Sequence, residues 1–385
     1  MPASIRFLYI IIAPILLWGC GQKPAPSAVN TSSHALNDDA RELAGMGIDT
    51  AAYYSSYRDS MDRAFQSMDT GRSSHIRNWS REELPQDSTT VFYPFSGPDI
   101  LNCIHLFPNA NEYVLMALEG YGSLPHWASM DTTSRERSLS YVYRSLGDLF
   151  GKGYFVTRSM LTEVSNAYNG VLPIACVSLV RSGYDILDIK YKHLEDDGEL
   201  KEIAQDSLNR GTNNCVEIYF RKRGKDKIQK LSYFKTNLAD NPYEGPDYFK
   251  LNTSYNPNHI QGLKENQPLR DYIQRLPKCI GLIKSASYLM HQGHFELIRG
   301  LVENRCRLIL QDDTGIPFSY FVREHWRVKL YGAYAPPISI FHGGYFQKDL
   351  DSAYHAGAGR ISHLPFSFGY HCEDSVQNLM KMEKP

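Results

Sequence analysis

The sequence predicts an α/β fold: a mostly parallel sheet flanked by helices, with a β-hairpin insertion and an N-terminal helical segment. Strand-like apolar runs alternate with helix-like periodicity along much of the 385-residue chain. The runs TVFYPFSG and EYVLMALEG are apolar on both faces, which is typical of parallel strands covered on both sides. The stretch CVEIYFRKRGKDKIQKLSYFKT contains two alternating runs around a Gly-containing turn, which predicts a hairpin.

Three segments show helical periodicity. DTAAYYSSYRDSMDRAFQSMD predicts a helix with Asp49 as its N-cap. TTSRERSLSYVYRSLGDLFGKG predicts a second helix that stops at Gly151, and GVLPIACVSLVRSG predicts a buried helix that closes at Gly183. Between the first two helices, PDILNCIHLF predicts a short helix opened by Pro98.

The C-terminal third alternates in the same way. CIGLIKSASYLMH contains a strand, HFELIRGLVENR a helix, and CRLILQD and RVKLYGAY two further strands, while YDILDIKYKHL predicts a strand earlier in the chain. No second linker-like stretch interrupts this pattern. We therefore expect one large domain over residues 37–385.

The N-terminus resembles the signal peptide of bacterial lipoproteins. Arg6 precedes an apolar stretch from Phe7 to Leu17, which is shorter than the roughly 20 residues that a spanning helix needs. It ends in Leu17, Trp18, Gly19 and Cys20, which is similar to a lipobox. The resemblance implies a signal peptide over residues 1–19 and lipidation of Cys20, so the lipid bilayer would be a partner.

The segment after Cys20 is rich in Pro, Ser, Ala and Asn, which predicts a flexible tether over residues 20–36. Residue 21 is Gly, not the Asp that commonly retains lipoproteins in the inner membrane. We therefore expect an outer-membrane protein, anchored by its lipid, with the body in the periplasm or at the cell surface. Other envelope proteins are possible partners.

Composition argues against a nucleic-acid partner, because the net charge is −1. The one basic run, RKRGKDK at residues 221–227, is expected to be a solvated hairpin tip. Six cysteines follow Cys20 at wide, irregular spacings without a C-x-x-C motif, so buried thiols are expected, one disulfide is possible, and no zinc site or other cofactor is predicted.

The first candidate site is YPFSGPD, which follows a predicted strand and opens a helix. Ser96, Asp99 and Glu119 would lie beyond carboxyl ends of strands, where open α/β sheets bind ligands. The stretch is similar to the first motif of class I methyltransferases and to the outline of a nucleotide-binding βαβ unit. It lacks G-x-G-x-x-G, and Asp99 places negative charge where a phosphate would sit. A plain strand-to-helix turn, in which Gly97 supplies the backbone angles, is the simpler interpretation.

The second candidate site combines KSASYLMHQGHF with LQDDTGIP. Lys284, His291 and His294 follow one predicted strand, and Asp312 and Asp313 follow another. The two acids could bind a divalent cation or act as acid and base, or they could form a turn by bonding their own backbone. The two histidines could share a metal, although surface or capping roles are simpler.

The motifs YPFSGPD, KSASYLMH and QDDTGIP resemble those of an uncharacterised family of exported bacterial proteins. The resemblance spans roughly residues 91–369 and implies a shared fold and export, but no reaction. Two functions therefore stay open. One is a non-catalytic binding or envelope-assembly component, which the missing catalytic motifs favour. The other is a hydrolase of an envelope or nutrient polymer. It would require the convergence in one cleft of Asp99, Glu119, Lys284, His291 and Asp312.

Overall fold

The computed structural model describes residues 31–155, 170–205, 213–241, 261–286, 288–337, 345–357, 359, 361–369 and 377–385. The predicted signal peptide, Cys20 and most of the predicted tether lie outside these residues, as does Cys372. The first helix begins at Thr31, so it occupies the last six positions of the segment predicted as a tether.

The described residues form an α/β fold around one mixed sheet. The strands are β1 (Thr90–Pro94), β2 (Glu112–Ala117), β3 (Tyr184–Leu194), β4 (Leu200–Ile203), β5 (Asn214–Lys222), β6 (Ile228–Lys235), β7 (Cys279–Ile283), β8 (Cys306–Gln311), β9 (Arg327–Gly332) and β10 (Asn378–Glu383). They form a ten-stranded sheet in the order β4-β3-β5-β6-β2-β1-β7-β8-β10-β9.

Eleven α-helices flank this sheet in the described part of the chain. They are α1 (Thr31–Leu43), α2 (Ala52–Met68), α3 (Ser74–Glu83), α4 (Ile100–Leu106), α5 (Thr132–Ser145), α6 (Gly147–Lys152), α7 (Leu172–Arg181), α8 (Gln267–Arg275), α9 (Glu296–Arg305), α10 (Phe318–Arg323) and α11 (Lys348–Ala356). A π-helical turn at Asp69–Ser73 joins α2 to α3.

The prediction of a mostly parallel sheet is wrong. The five central strands, β6-β2-β1-β7-β8, are parallel, but both flanks are antiparallel, and antiparallel pairs make up five of the nine neighbouring pairs. The hairpin β5–β6 is also not an insertion, because β6 pairs with β2 as the fifth parallel strand. Apolar runs reveal burial on both faces, and a strand can be buried in either orientation.

Alternation along the central strands divides the core into two layers. In β1, Val91 and Tyr93 pack with helices from the first half of the chain, whereas Phe92 packs with α8 and α9 on the other face. Side chains of successive strand residues point to opposite faces, so each strand supplies both layers. The sheet is therefore covered on both sides, as the sequence predicts for its centre.

Several predicted helix boundaries shift by a few residues. Asp49 is not the N-cap of α2; that residue is Ala51, whose amide donates to Asp49. Pro98 does not open α4, because Asp99 is the N-cap and accepts from Asn102. The helix predicted to stop at Gly151 ends instead before Gly153, which has the left-handed backbone (φ 78°) that glycine adopts without steric cost.

The five described cysteines are buried and unpaired, and two of them are neighbours. Cys279 of β7 lies opposite Cys306 of β8, and their sulfur atoms are 3.6 Å apart. Hydrogen bonding to the Cys306 thiol lowers the pKa of Cys279, whereas burial raises the pKa of Cys306. This is the pair that an oxidising compartment could cross-link.

If the chain is exported as its N-terminus predicts, we expect a Cys279–Cys306 disulfide in protein recovered from the envelope. Closing this loop should stabilise the fold by roughly 3–4 kcal/mol, because it constrains the unfolded chain. Peptide mapping without reduction measures the link, with Cys103 and Cys176 as buried thiols that should stay free. Complete alkylation of Cys279 and Cys306 in unreduced, denatured envelope protein would contradict the expectation.

Candidate functional site

The carboxyl ends of the parallel strands meet along one edge of the sheet, where the sequence predicted a site. Five ionisable residues follow strand ends at this edge and are at most 3% exposed: Asp99, Glu119, Lys284, Asp312 and Asp313. We call them the carboxyl-edge cluster. Their positions confirm that the strand ends bring these residues to one edge. The depth of their burial determines whether a substrate can reach them.

Lys284 and Asp99 form a buried ion pair. The Nζ atom of Lys284 lies 3.3 Å from Oδ2 of Asp99 and 2.8 Å from the carbonyl oxygen of Gly153. Asp99 also accepts hydrogen bonds from the Tyr93 hydroxyl and from the Asn102 side-chain amide. Burial, followed by the nearby Asp99 charge, raises the pKa of Tyr93. Both charges are therefore neutralised and hydrogen-bonded inside the fold, as buried ion pairs require.

Asp312 accepts hydrogen bonds from its surroundings through both oxygens. The Ser285 amide donates to Oδ2 at 2.9 Å, and the Thr314 amide donates to Oδ1 at 3.0 Å, with the Thr314 hydroxyl on the same oxygen. Gly369 packs against this carboxylate so closely that a Cβ atom there would overlap it. Burial, with the charge of Asp313 as a second cause, raises the pKa of Asp312 to about 6.

Asp313 links β8 to three other parts of the chain. Its Oδ2 accepts from the Tyr288 hydroxyl at 2.6 Å, and its amide donates to Asn378 of β10. Its carbonyl oxygen accepts from the Gln347 side chain and lies 3.1 Å from Nε2 of His291. Burial lowers the pKa of His291 to about 4, so this imidazole is neutral near pH 7. These contacts assign Asp313 and His291 to the packing of the edge.

The contacts of the remaining predicted residues involve backbone carbonyl oxygens. Glu119 follows β2, and its carbonyl oxygen accepts from the Tyr233 hydroxyl. Ser96 donates to the carbonyl oxygen of Gly97, which has the positive φ (53°) that the sequence predicted for this turn. His294 is exposed, and its carbonyl oxygen accepts from Asp240. The two histidines lie on separate 3-10 turns, so the shared metal site is not supported.

The metal site predicted at Asp312 and Asp313 gains no support from the described residues. Among these, no group of three or more His, Cys, Asp and Glu side chains is arranged to hold a metal ion. The oxygens of Asp312 already accept from two backbone amides and a hydroxyl. The turn interpretation, in which these acids bond nearby backbone, describes the observed contacts of Asp312.

Sequence reasoning missed Ser285, which follows β7 directly. Its backbone is left-handed (φ 53°), which is uncommon for a residue other than glycine, and strain of this kind is concentrated at functional sites. Its Oγ atom is buried and has no hydrogen-bond partner among the described residues. No spacing signal in KSAS reveals this conformation or the hydrogen bond of the Ser285 amide to Asp312, which lies 27 residues further along the chain.

Sequence reasoning also missed a cavity of about 940 Å³ at the opposite end of the parallel strands. It lies between helices α2, α3 and α4 and the β5–β6 hairpin. Residues 222–227 of the basic run are exposed where β5 turns into β6, as the sequence predicted, and Lys222, Lys225 and Lys227 also line the cavity. A six-residue strand separates the two edges by roughly 15–20 Å.

The comparisons with known proteins add no assignment: no protein-family model matches the chain, and neither a curated protein nor a solved structure does. The resemblance to exported bacterial proteins thus remains a prediction. Within the described residues, no helix combines the length and apolar character that crossing a bilayer requires.

The raised pKa of Asp312 predicts a specific pH dependence of stability. A carboxyl whose folded pKa (about 6) exceeds its ordinary value of 3.8 stabilises the fold fully below pH 3.8 and loses this contribution as the pH rises through 6. The unfolding free energy of the wild type minus that of Asp312→Asn should therefore fall by about 2 kcal/mol between pH 4 and pH 7.

Urea unfolding of both proteins across this range measures the difference. The subtraction is needed because His291, whose folded pKa is lowered to about 4, contributes the opposite slope in the same window. If the difference in unfolding free energy stays constant from pH 4 to pH 7, Asp312 has the same pKa in the folded and the unfolded protein, and the prediction is wrong.

Proposed function

We propose that this protein is a lipid-anchored component of the bacterial cell envelope whose α/β body binds a ligand or partner without transforming it. The proposal rests on a difference between the two edges of the sheet. Charged groups of the carboxyl edge, where a catalytic site was predicted, are engaged in internal contacts. The open cavity lies at the other edge and presents cations and apolar side chains.

Chemical considerations support binding over catalysis. A general acid or base must reach a substrate proton, directly or through one water. Asp99, Lys284, Asp312 and Asp313 are almost fully buried, and each already has internal hydrogen-bond partners. Such contacts hold the strand ends together, and a substrate would have to displace them.

The anchor is supported by the sequence alone. A short apolar stretch, a lipobox-like LLWGC and a Pro- and Ser-containing segment follow one another at the N-terminus. Several acyl chains on Cys20 would anchor the body stably in the outer membrane. Other envelope proteins within reach of the tether are then possible partners.

Replacing Cys20 by Ala should release the protein from the membrane fraction, because the acylated residue is lost. Metabolic labelling with an alkyne-bearing palmitate, followed by membrane fractionation, measures both effects in the native host. Cys103→Ala serves as the control, since this buried cysteine lies in the folded body. Unlabelled wild-type protein, or Cys20→Ala protein that remains in the membrane, would refute the anchor.

A hydrolase of an envelope or nutrient polymer is the second candidate, and Ser285 favours it. Ser285 is a left-handed serine at a strand end whose amide contacts Asp312, and its buried hydroxyl has no partner among the described residues, as a strained nucleophile would require. This candidate predicts soluble products when purified protein meets peptidoglycan or envelope polysaccharide, and loss of those products in Ser285→Ala. Our proposal expects none from either protein.

A further inference from the structure

The cavity at the amino edge of the parallel strands has two chemically distinct sides. Helices α2 and α4 supply an apolar side from Phe65, Met68, Leu101 and Ile104. The opposite side is formed by the start of β3, the end of β5 and the hairpin turn. Its volume of about 940 Å³ is in the range of cavities that hold small organic ligands.

Five cationic side chains line this cavity, although the whole chain carries a net charge of −1. They are Arg77, Arg181, Lys222, Lys225 and Lys227. Acids already pair with the two arginines, since Asp69 lies 2.7 Å from Arg77 and Asp62 lies 2.5 Å from Arg181. The local excess of positive charge therefore comes from the three lysines.

None of these three lysines forms an ion pair with a carboxylate in the part of the chain that the structure describes. Lys222 donates to the carbonyl oxygen of Ser182 at 2.6 Å and lies over the ring of Tyr184. Lys227 donates to the Ser88 hydroxyl and to the carbonyl oxygen of Asn109. Their charges are held by neutral groups and remain available to an anion.

Two buried polar atoms among the lining residues also lack a partner within the described ranges. These are Nη2 of Arg181, whose side chain is 8% exposed, and Nδ1 of His105. Burial, aided by the charges of Arg77 and Arg72, lowers the pKa of His105 to about 3, so its imidazole is neutral. Buried polar groups are normally hydrogen-bonded, so these two atoms are exceptions among the residues of the cavity wall.

Burial and repulsion by neighbouring cations lower the pKa of Lys222, and burial lowers the pKa of Lys227. Both effects disfavour the charged form of these two lysines. A bound anion would offset them by supplying the opposite charge.

We infer that this cavity binds an amphiphilic anion: a molecule whose phosphate or carboxylate head contacts the three hairpin lysines and whose apolar body lies against α2 and α4. The inference rests on the proposed binding function and specifies its ligand class. An anionic lipid and a soluble organic phosphate share this head chemistry. The two ligand sources can be distinguished experimentally by whether binding depends on contact with the apolar side of the cavity.

Three probes test the ligand class by calorimetry on the purified full chain: dihexanoyl phosphatidic acid below its micelle concentration, dihexanoyl phosphatidylcholine, and inorganic pyrophosphate. We expect saturable 1:1 binding of phosphatidic acid, with phosphatidylcholine at least tenfold weaker because its head is zwitterionic. Pyrophosphate binding as strong as that of phosphatidic acid would overturn the inference, because pyrophosphate has no apolar body to lie against α2 and α4. Markedly weaker pyrophosphate binding would identify a lipid.

The triple variant Lys222→Gln, Lys225→Gln, Lys227→Gln should weaken phosphatidic acid binding at least tenfold. The matched control Lys201→Gln, Lys264→Gln, Lys348→Gln removes the same charge from exposed positions outside the cavity lining and should bind like the wild type. Thermal unfolding of both variants verifies that they are folded.

The inference is overturned if neither anion binds the wild type, if the cavity variant binds as tightly as the wild type, or if the control variant loses equal affinity. These outcomes leave the proposed function standing, because a partner could bind elsewhere. Turnover of an envelope polymer by the wild type would instead refute the proposed function, whatever the cavity binds.

Discussion

The buried ion pair between Lys284 and Asp99 is the interaction on which the carboxyl edge depends. It joins the residue that follows β7 to the N-cap of α4, and the same ammonium group holds the carbonyl oxygen of Gly153 after α6. Removing one partner leaves a buried, uncompensated charge, which typically costs several kcal/mol. The neighbouring contacts of Ser285 with Asp312 extend the same edge to β8.

This buried ion pair explains why charged residues at the strand ends of this protein can serve to stabilise the fold. In open α/β sheets, the carboxyl ends of strands commonly bind ligands, since several loops converge there. In this protein the convergence is internal: Asp312 holds the backbone after β7, and Asp313 holds Tyr288 and Asn378. The amino edge remains open, and there the lysines of the hairpin face an apolar helical wall.

The sequence predicted what depends on local pattern. The strand ends placed Asp99, Lys284, Asp312 and Asp313 at one edge because parallel strands share their direction, and the apolar runs indicated burial on both faces. The sequence did not predict the antiparallel orientation of the flanking strands. β10 inserts between β8 and β9 through pairings of residues about 70 positions apart for β8 and about 50 for β9, which no local pattern encodes.

The cavity at the amino edge was missed for a similar reason. RKRGKDK has the composition of a solvated turn, and only the packing of the hairpin against α2 to α4 makes its lysines the wall of a cavity. The left-handed Ser285 likewise makes a tertiary contact, the hydrogen bond of its amide to Asp312. Residue types and spacing do not determine such contacts.

A double-mutant cycle on Asp99→Asn and Lys284→Met most directly tests the central claim, which is that the charged residues of the carboxyl edge stabilise the fold. Asparagine preserves the helix cap, so the first variant isolates the charge. Urea unfolding should show a loss of about 3–5 kcal/mol for Asp99→Asn and a double variant more stable than the sum of the single losses predicts. Asp87→Asn, in the exposed pair with Arg307, is the control and should cost under about 1 kcal/mol. Single variants as stable as the wild type, or more stable, would contradict the claim and would be typical of a pair retained for catalysis.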